Sequence, residues 1–524
     1  MPTINDDPLR RHLRDFLDVN NVERDVLRAY GDGSADRCLP ADVDLALSWL
    51  PPATARGRDF SYIAPDIPQL DAAACVGCME CVTLCPDSAI LAKVAPLPEM
   101  QQHLGRVTQH SAYIAAQMTK TTKFFDVPER KGNAGGLFLL VTDPTKCKGC
   151  GECVTACGSH QALRMVPKTE GNLGAYRAAM NFYRDLPDTP RHYIQDKVLA
   201  DMMLQEGTHL YCGGAASCMG CGEASALRMM LAATAFVHGG HSVGIVAATG
   251  CNTVFGSTYP YNPYQVPWTN SLFENAPAVA MGIRAQWNAR GLHEKRLWVV
   301  GGDGAMLDIG FQSLSRMLMS GMDIKVLVLD TQVYSNTGGQ SSTASFVGQD
   351  SKMAAVGRAQ HGKSERRKEL AQIAMMHPDV YVAQTTTAHI NHFYRAIIAA
   401  NDYPGPAVVS VYAPCQPEHG IADDAGVQQS KLAVDTRTFP LLVCDPRAGS
   451  ALRERLNLQG NPARKDDWYV TPKGERLDFV TFARSEGRFA KNFDAQGTPS
   501  AELLAAQEDR LKNWHLLQEL AGLR

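Results

Sequence analysis

The sequence predicts an α/β chain: a doubly wound parallel sheet preceded by a smaller, cysteine-rich α+β part. Three observations lead there. Arg296–Gln340 reads as one strand–turn–helix–strand unit whose polar residues fall just past the carboxyl ends of its strands, the place where open α/β sheets bind ligands. Short apolar runs at Val243–Ala248, Val380–Gln384 and Ala407–Val411 continue the alternation, which a parallel sheet requires. Ahead of them stand two four-cysteine runs of identical spacing.

Within the first unit, Leu297–Val300 is apolar enough for a buried strand. Gly301-Gly302-Asp303-Gly304 follows as an expected turn, where glycines let backbone approach a ligand. Leu307–Met319 carries Leu307, Phe311, Leu314 and Leu318 at helical spacing, and Ile324–Leu329 is a second buried strand ending at Asp330-Thr331. A carboxylate at a glycine turn suits a divalent cation bridging a diphosphate; Asp303 supplies it, and Thr331 with the Val333 backbone can complete the coordination.

Bulk numbers set limits. A chain of 524 residues exceeds one ordinary core, so two or three domains are expected. Hydrophobic content of 45%, charged content of 20% and a net charge of -3 fit a globular protein and give no reason to expect nucleic acid or an acidic membrane. No apolar run is long enough to span a bilayer, and the start, MPTINDDPLRRHLRDF, has no apolar h-region. A cytoplasmic location is expected, where C-x-x-C runs among the fifteen cysteines point to metal rather than to disulfides.

In chain order, residues 1–58 are read as a helical docking or packing segment, with Leu9–Tyr30 carrying Leu13, Phe16, Leu17, Val22, Val26 and Leu27; Cys38 is read as a small hydrophobe. Residues 59–168 hold Cys75, Cys78, Cys81 and Cys85, then Cys147, Cys150, Cys153 and Cys157. This is the bacterial ferredoxin spacing, in which the fourth cysteine of each run normally ligates the other cluster. Cys75, Cys78, Cys81 and Cys157 are therefore assigned to one [4Fe–4S] cluster, and Cys147, Cys150, Cys153 and Cys85 to a second, within a ferredoxin-like α+β domain. Paired zinc sites are the alternative, but the compact run departs from zinc-ribbon spacing. Gly158 stands where a proline usually follows the fourth cysteine, a change expected to alter packing but not ligand count. The connecting loop, Pro86–Lys146, is an insertion beyond the minimal form, with a helical Met100–Thr119, a turn at Gly132–Gly136 and a strand at Phe138–Thr142; Gln161–Pro167 returns to strand pattern.

Residues 169–209 read as a connector and 210–423 as the sheet domain. Cys218 and Cys221 precede a helix starting near Glu223, while Cys251 and Cys415 each follow a strand. Spacing alone leaves these thiols open between a third cluster and unrelated buried cysteines. Gly357–Ser364 matches the P-loop pattern without the preceding strand that pattern needs, and Lys363–Lys368 is read as a solvated basic face. Residues 424–524 form a C-terminal extension ending in an amphipathic helix, Ala501–Leu523, expected to pack on a neighbour.

Taken together and in order, CMGCGE, ATGC, WTNSLFE, DTQVYSNTGGQSS and YAPC, with the GDG of Asp303, resemble the pyruvate:ferredoxin (flavodoxin) oxidoreductases over roughly Phe60–Phe493. The resemblance implies thiamine diphosphate bound through Mg²⁺ by Asp303, Thr331 and the Val333 carbonyl, with Glu223, Gly302 and Gly304 at the cofactor and Asn336 facing substrate. It also implies that Cys218, Cys221, Cys251 and Cys415 hold a third [4Fe–4S] cluster. The implied reaction is oxidative decarboxylation of a 2-oxo acid, by default pyruvate, with coenzyme A, passing electrons to ferredoxin or flavodoxin. No thiamine-pyrimidine domain is seen here, so a β-type subunit of a split enzyme is expected, joined to an α-type partner in a hetero-oligomer of two or more copies. The rival expectations are a non-catalytic electron-transfer subunit with a relic thiamine fold, and the same chemistry on 2-oxoglutarate or another 2-oxo acid.

Overall fold

The computed structural model describes residues 22–39 and 50–524. Leu13, Phe16 and Leu17 of the expected N-terminal helix lie outside the described residues. Cys38 is exposed rather than packed as a small hydrophobe, its sulfur 3.3 Å from the Ser34 hydroxyl. The chain divides into two units, residues 1–217 with 254–267, and residues 218–253 with 268–524.

In the first unit, β1 (Asp66–Leu70) pairs antiparallel with β5 (Leu163–Pro167). The short helices α1 (Glu80–Leu84) and α2 (Glu152–Cys157) each begin inside a four-cysteine run, which delivers the third cysteine of each run to a helix. The insertion forms its own three-stranded antiparallel sheet, β2 (Ile90–Pro96), β3 (Met118–Lys120) and β4 (Gly136–Thr142), in the order β2-β4-β3. Met100–Thr119 is thus not one helix. Helical turns at Leu97–Leu104 and Ser111–Ala115 give way to β3, which pairs with the apolar β4. Helix α3 (Glu170–Asp185) opens on a capping box, with Thr169 Oγ1 accepting from Asn172 N and Asn172 Oδ1 from Thr169 N. It packs Ala179, Met180 and Phe182 against Met100, Leu139 and Val141.

The second unit is built on an eight-stranded sheet. Its strands are β6 (Val243–Ala247), β7 (Trp268–Asn270), β8 (Arg296–Gly302), β9 (Lys325–Asp330), β10 (Tyr381–Thr386), β11 (Ala407–Tyr412), β12 (Leu442–Cys444) and β13 (Leu456–Asn457). The order is β13-β12-β10-β11-β9-β8-β6-β7. The six strands from β10 to β7 run parallel, whereas β12 pairs antiparallel with β10 and β13 antiparallel with β12. The parallel part matches the expectation; the antiparallel edge was hidden because strands of three and two residues carry no periodicity. Parallel strands covered on both faces become near-continuous apolar runs, and β9, β10 and β11 are buried along their whole length.

Helices α4 (Gly222–His238), α5 (Ala276–Ala289), α6 (Phe311–Leu318) and α7 (Ile390–Asp402) cover the sheet. A polar tie joins sheet to helices: Trp298 Nε1 donates to Asn401 Oδ1 (3.1 Å), and Asn401 Nδ2 to Thr234 Oγ1 (3.0 Å). Residues 424–524 pack in this same unit. Helix α8 (Ala501–Leu520), capped by Ser500, buries Trp514 and Leu517 in the cluster formed by Val326, Val328 and Val382, and Leu503 and Ala506 among Phe346, Phe479 and Phe482. Among the described residues, no helix is long and apolar enough to cross a membrane.

Only part of the run Lys363–Lys368 is a solvated face: Ser364, Glu365 and Arg366 are exposed. Lys363 and Arg367 are buried. Lys363 Nζ donates to Ser345 O (2.7 Å), and Arg367 pairs with the buried Asp330 at the end of β9. Glu369 lies 3.5 Å from Arg367 and 2.6 Å from Arg510 of α8. Removing one member of such a group strands a buried charge. Arg367→Met is expected to lower the thermal unfolding midpoint by roughly 5 °C, from a loss of about 3–5 kcal/mol, with part regained on adding Asp330→Asn. A midpoint equal to wild type in the single variant would show that the pair contributes nothing.

Candidate functional site

The polar centre of the second unit sits where β8 and β9 end. Gly301 and Gly302 belong to β8, and Asp303 already has helical backbone angles, opening a π-helical turn at Gly304–Ile309. The expected turn is therefore a direct strand-to-helix junction. The ring of Tyr334 packs against Gly304, where an added side chain would come within 2.4 Å of it. Asp303 is fully buried. Its Oδ1 accepts from the Thr331 amide and hydroxyl, both at 3.2 Å, and its Oδ2 from the Ser342 hydroxyl at 2.5 Å. Thr331 Oγ1 also lies 3.1 Å from Val333 O and 2.5 Å from Ser335 Oγ. The structure thus brings together Asp303, Thr331 and Val333, and it adds Ser335 and Ser342.

Tyr334 ties the two loops together: its hydroxyl donates to Asp308 Oδ2 (3.1 Å), and Asp308 also accepts from the Thr343 amide (3.1 Å). Beside this centre lies a cleft of about 350 Å³, bordered by Glu223, Cys251, Gly302, Gly304, Thr331, Val333 and Asn336. Thr249, Gly250 and Phe273 also border it and were not singled out from sequence, although each lies within a quoted motif.

The electrostatics are those of a site short of positive charge. Burial, and then the charge of Asp330, push the Asp303 carboxyl up to about 7, against the pull of the Ser342 hydroxyl and Arg367. Burial and Asp303 push Glu223 up to about 8, and its Oε2 has no hydrogen-bond partner. A buried carboxylate that meets two hydroxyls and an amide, with the Val333 carbonyl next to the Thr331 hydroxyl, offers hard oxygens that fit a divalent cation, and an orphaned carboxyl lining a cleft fits a polar ligand group. His419, fully buried behind Thr331, is held neutral by burial and by Arg488.

The four remaining candidate cysteines share one neighbourhood. Burial raises the Cys251 thiol, and Glu223, Cys221, Cys415 and Cys218 raise it further. Cys415 is pushed up to about 12 by burial, with Glu223 and Cys218 among the other causes. Two glycines of CMGCGE allow the approach. A side chain at Gly220 would meet Asp423 O at 1.9 Å, and one at Gly222 would meet Pro414 at 2.5 Å, next to Cys415.

In the first unit the eight cysteines sort into two sets. Cys75, Cys78, Cys81 and Cys157 border one cavity of about 350 Å³, and Cys85, Cys147, Cys150 and Cys153 another of about 340 Å³. The thiols interact in the same sets: Cys81 with Cys78, Cys75 and Cys157, and Cys150 with Cys85 and Cys147. The fourth cysteine of each run has crossed to the other set. Among the described residues, no three His, Cys, Asp or Glu side chains are drawn together to hold a single metal ion.

Comparison with known proteins agrees with this layout. The family described as "Thiamine pyrophosphate enzyme, C-terminal TPP binding domain" matches residues 248–411, from the end of β6 into β11. The fold and site therefore define a thiamine pyrophosphate-binding α/β domain. A "Pyruvate-flavodoxin oxidoreductase" from Rhodospirillum rubrum is 30% identical over 96% of this chain and 45% of its own length. A "Pyruvate:ferredoxin oxidoreductase" from Moorella thermoacetica is 29% identical over 80% of this chain and 39% of its own. "Pyruvate synthase subunit PorB" from Thermotoga maritima is 33% identical over 46% of this chain and 79% of its own. The chain belongs to the pyruvate:ferredoxin (flavodoxin) oxidoreductase family, on the side of its β-type subunits. It spans less than half the length of the first two of these relatives.

A cation entering at Asp303 must displace a proton with a pKa of about 7. Mn²⁺ binding, read by the loss of the free-ion electron paramagnetic resonance signal, is expected to tighten about tenfold per pH unit below 7 and to level off above it. Affinity independent of pH between 5.5 and 8 would show that Asp303 holds no cation.

Proposed function

We propose that this chain is the cofactor-binding and electron-carrying part of a 2-oxoacid:ferredoxin or flavodoxin oxidoreductase. On this reading a 2-oxo acid, pyruvate by default, and coenzyme A yield an acyl-CoA, carbon dioxide, a proton and two electrons. The observation that carries it is one cleft bordered by Thr331, Val333 and Asn336 and also by Glu223 and Cys251, with the buried Asp303 carboxylate hydrogen-bonded to Thr331 behind it.

Asp303, Thr331 Oγ1 and Val333 O would hold Mg²⁺ against the diphosphate of thiamine, with Gly302 and Gly304 leaving room for its backbone-side approach. Bound thiamine diphosphate supplies the carbanion and the electron sink that decarboxylation needs. Asn336 faces the cleft, where its amide can hydrogen-bond an oxo-acid oxygen. Glu223, protonated near neutral pH by burial and Asp303, can donate one hydrogen bond into the cleft. Cys218, Cys221, Cys251 and Cys415 would hold a [4Fe–4S] cluster on that wall. The two crossed quartets of the first unit, flanked by β1, β5, α1 and α2, support a ferredoxin-like domain with two more clusters, through which electrons leave. The compact cysteine runs suit a reducing, cytoplasmic setting.

Deprotonating thiamine requires a carboxylate at its pyrimidine ring, and the reading assigns that carboxylate to an α-type partner carrying the pyrimidine-binding domain. The purified chain is expected to be brown and to fail to decarboxylate any 2-oxo acid; adding the partner should restore coenzyme A-dependent reduction of ferredoxin or flavodoxin. Turnover by this polypeptide alone would overturn the division of labour. Failure of the reconstituted pair on every 2-oxo acid, with clusters intact, would favour a non-catalytic electron-transfer subunit.

Cys415→Ala should remove about one cube's worth of iron per chain, since a [4Fe–4S] centre needs its four thiolates, while the signals of the first unit's pair persist. Unchanged iron content and spectra would show that Cys415 is not a ligand.

A further inference from the structure

His419 lies four residues after Cys415, and its two ring nitrogens reach two different parts of the site. Nε2 is 2.8 Å from the carbonyl oxygen of Thr331, and Nδ1 is 3.4 Å from the backbone nitrogen of Cys415. A carbonyl oxygen only accepts and an amide N–H only donates. One ring state satisfies both: the neutral tautomer with its proton on Nε2. The ring is stacked on Tyr412, with centroids 6.0 Å apart and planes 25° off parallel. Beyond Nδ1, Glu486 lies at 3.5 Å, already taken up by Tyr412 OH and Gln429 Nε2, both at 2.9 Å, and by Arg488 Nε at 2.5 Å.

The Thr331 side of this bridge is also built for it. Gln332 has a left-handed backbone (φ 62°), which costs free energy for a residue other than glycine. It is held there by Ser345 Oγ and Gln349 Nε2 donating to its carbonyl, at 2.6 and 3.1 Å, and by Arg488 donating to its side-chain oxygen at 2.6 Å. The result is that Thr331 turns its carbonyl to His419 while its amide and hydroxyl face Asp303.

We propose that His419 is a positioning residue that fixes the loop carrying Cys415 relative to the strand end carrying Thr331, so that one buried ring keeps the sulfur edge and the oxygen edge of the cleft in register. The inference rests on reading those residues as cluster and cation ligands. A histidine serving only as core filler would have no need of a partner on each of two site loops 84 residues apart in sequence, from Thr331 to Cys415.

The two bonds can be separated by substitution. In His419→Gln the amide NH₂ reaches the position of Nε2 and keeps the donor to Thr331. In His419→Asn the amide oxygen takes the position of Nδ1 and keeps the acceptor for Cys415. Two readouts follow each edge: the Kd of Mn²⁺ with thiamine diphosphate, and the line shape and midpoint potential of the third cluster by electron paramagnetic resonance. His419→Gln is expected to keep the Kd and shift the cluster signal. His419→Asn is expected to keep the signal and weaken the Kd by about tenfold, the scale of one buried hydrogen bond. His419→Leu should disturb both, with the two clusters of the first unit unchanged in every variant. If Gln and Asn, each folded by circular dichroism, leave both readouts at wild-type values or disturb both alike, the ring is only packing and the proposal fails. A wild-type chain with neither a third cluster nor affinity for thiamine diphosphate would instead sink the ligand assignments themselves.

Discussion

Everything at the centre of the second unit follows from placing two carboxylates at the ends of adjacent strands. Asp303 ends the junction after β8, Asp330 ends β9, and both are buried. Burying one unpaired charge is costly, and two near each other are worse. The chain answers them differently. Asp330 is given a full counter-charge in Arg367, which Glu369 and Arg510 help to hold. Asp303 is given only hydroxyls and an amide, from Ser342 and Thr331. A carboxylate so placed is stable either with a proton or with a cation, a choice that the ion-paired Asp330 does not have.

Much of this was legible in the sequence because glycine and cysteine carry strong positional constraints. The GDG stretch marked the junction, and the alternation of apolar runs gave five of the six parallel strands, all but the three-residue β7. The two cysteine runs gave the sorting into crossed quartets, now seen lining two separate cavities. Glycine was a sound guide at CMGCGE for a reason only coordinates reveal: Gly220 and Gly222 lie under Asp423 and Pro414, so the two cysteine loops of the second unit can touch.

What stayed hidden were features whose meaning depends on partners far away in sequence. Lys363–Lys368 looks like a solvated basic run, and while Arg366 is exposed, the charges of Arg367 and Lys363 are spent on Asp330 and a backbone carbonyl inside the unit. The strands β12 and β13 are too short to show a period. Helix α8 has no strong apolar stripe because it is buried on more than one side, with Leu503 in one cluster and Trp514 in another. His419 gave no signal of its own; only the neighbouring Cys415 pointed near it.

On the proposed reading, two chemistries adjoin in the second unit without cancelling. Hard oxygens gather at Asp303, Thr331 and Val333, soft sulfurs at Cys218, Cys221, Cys251 and Cys415, and no residue belongs to both sets; oxygen and sulfur donors select different metals. Between them stands Glu223, which borders the cleft and raises the thiols of Cys221, Cys251 and Cys415. An ionised Glu223 would repel both the thiolates and Asp303. Burial and Asp303 together lift its pKa to about 8, so at neutral pH it is mostly a neutral acid and the repulsion is relieved. The groups linking the two edges are then uncharged as well: the backbone of the glycine loops, the carbonyl of Thr331 and the neutral ring of His419.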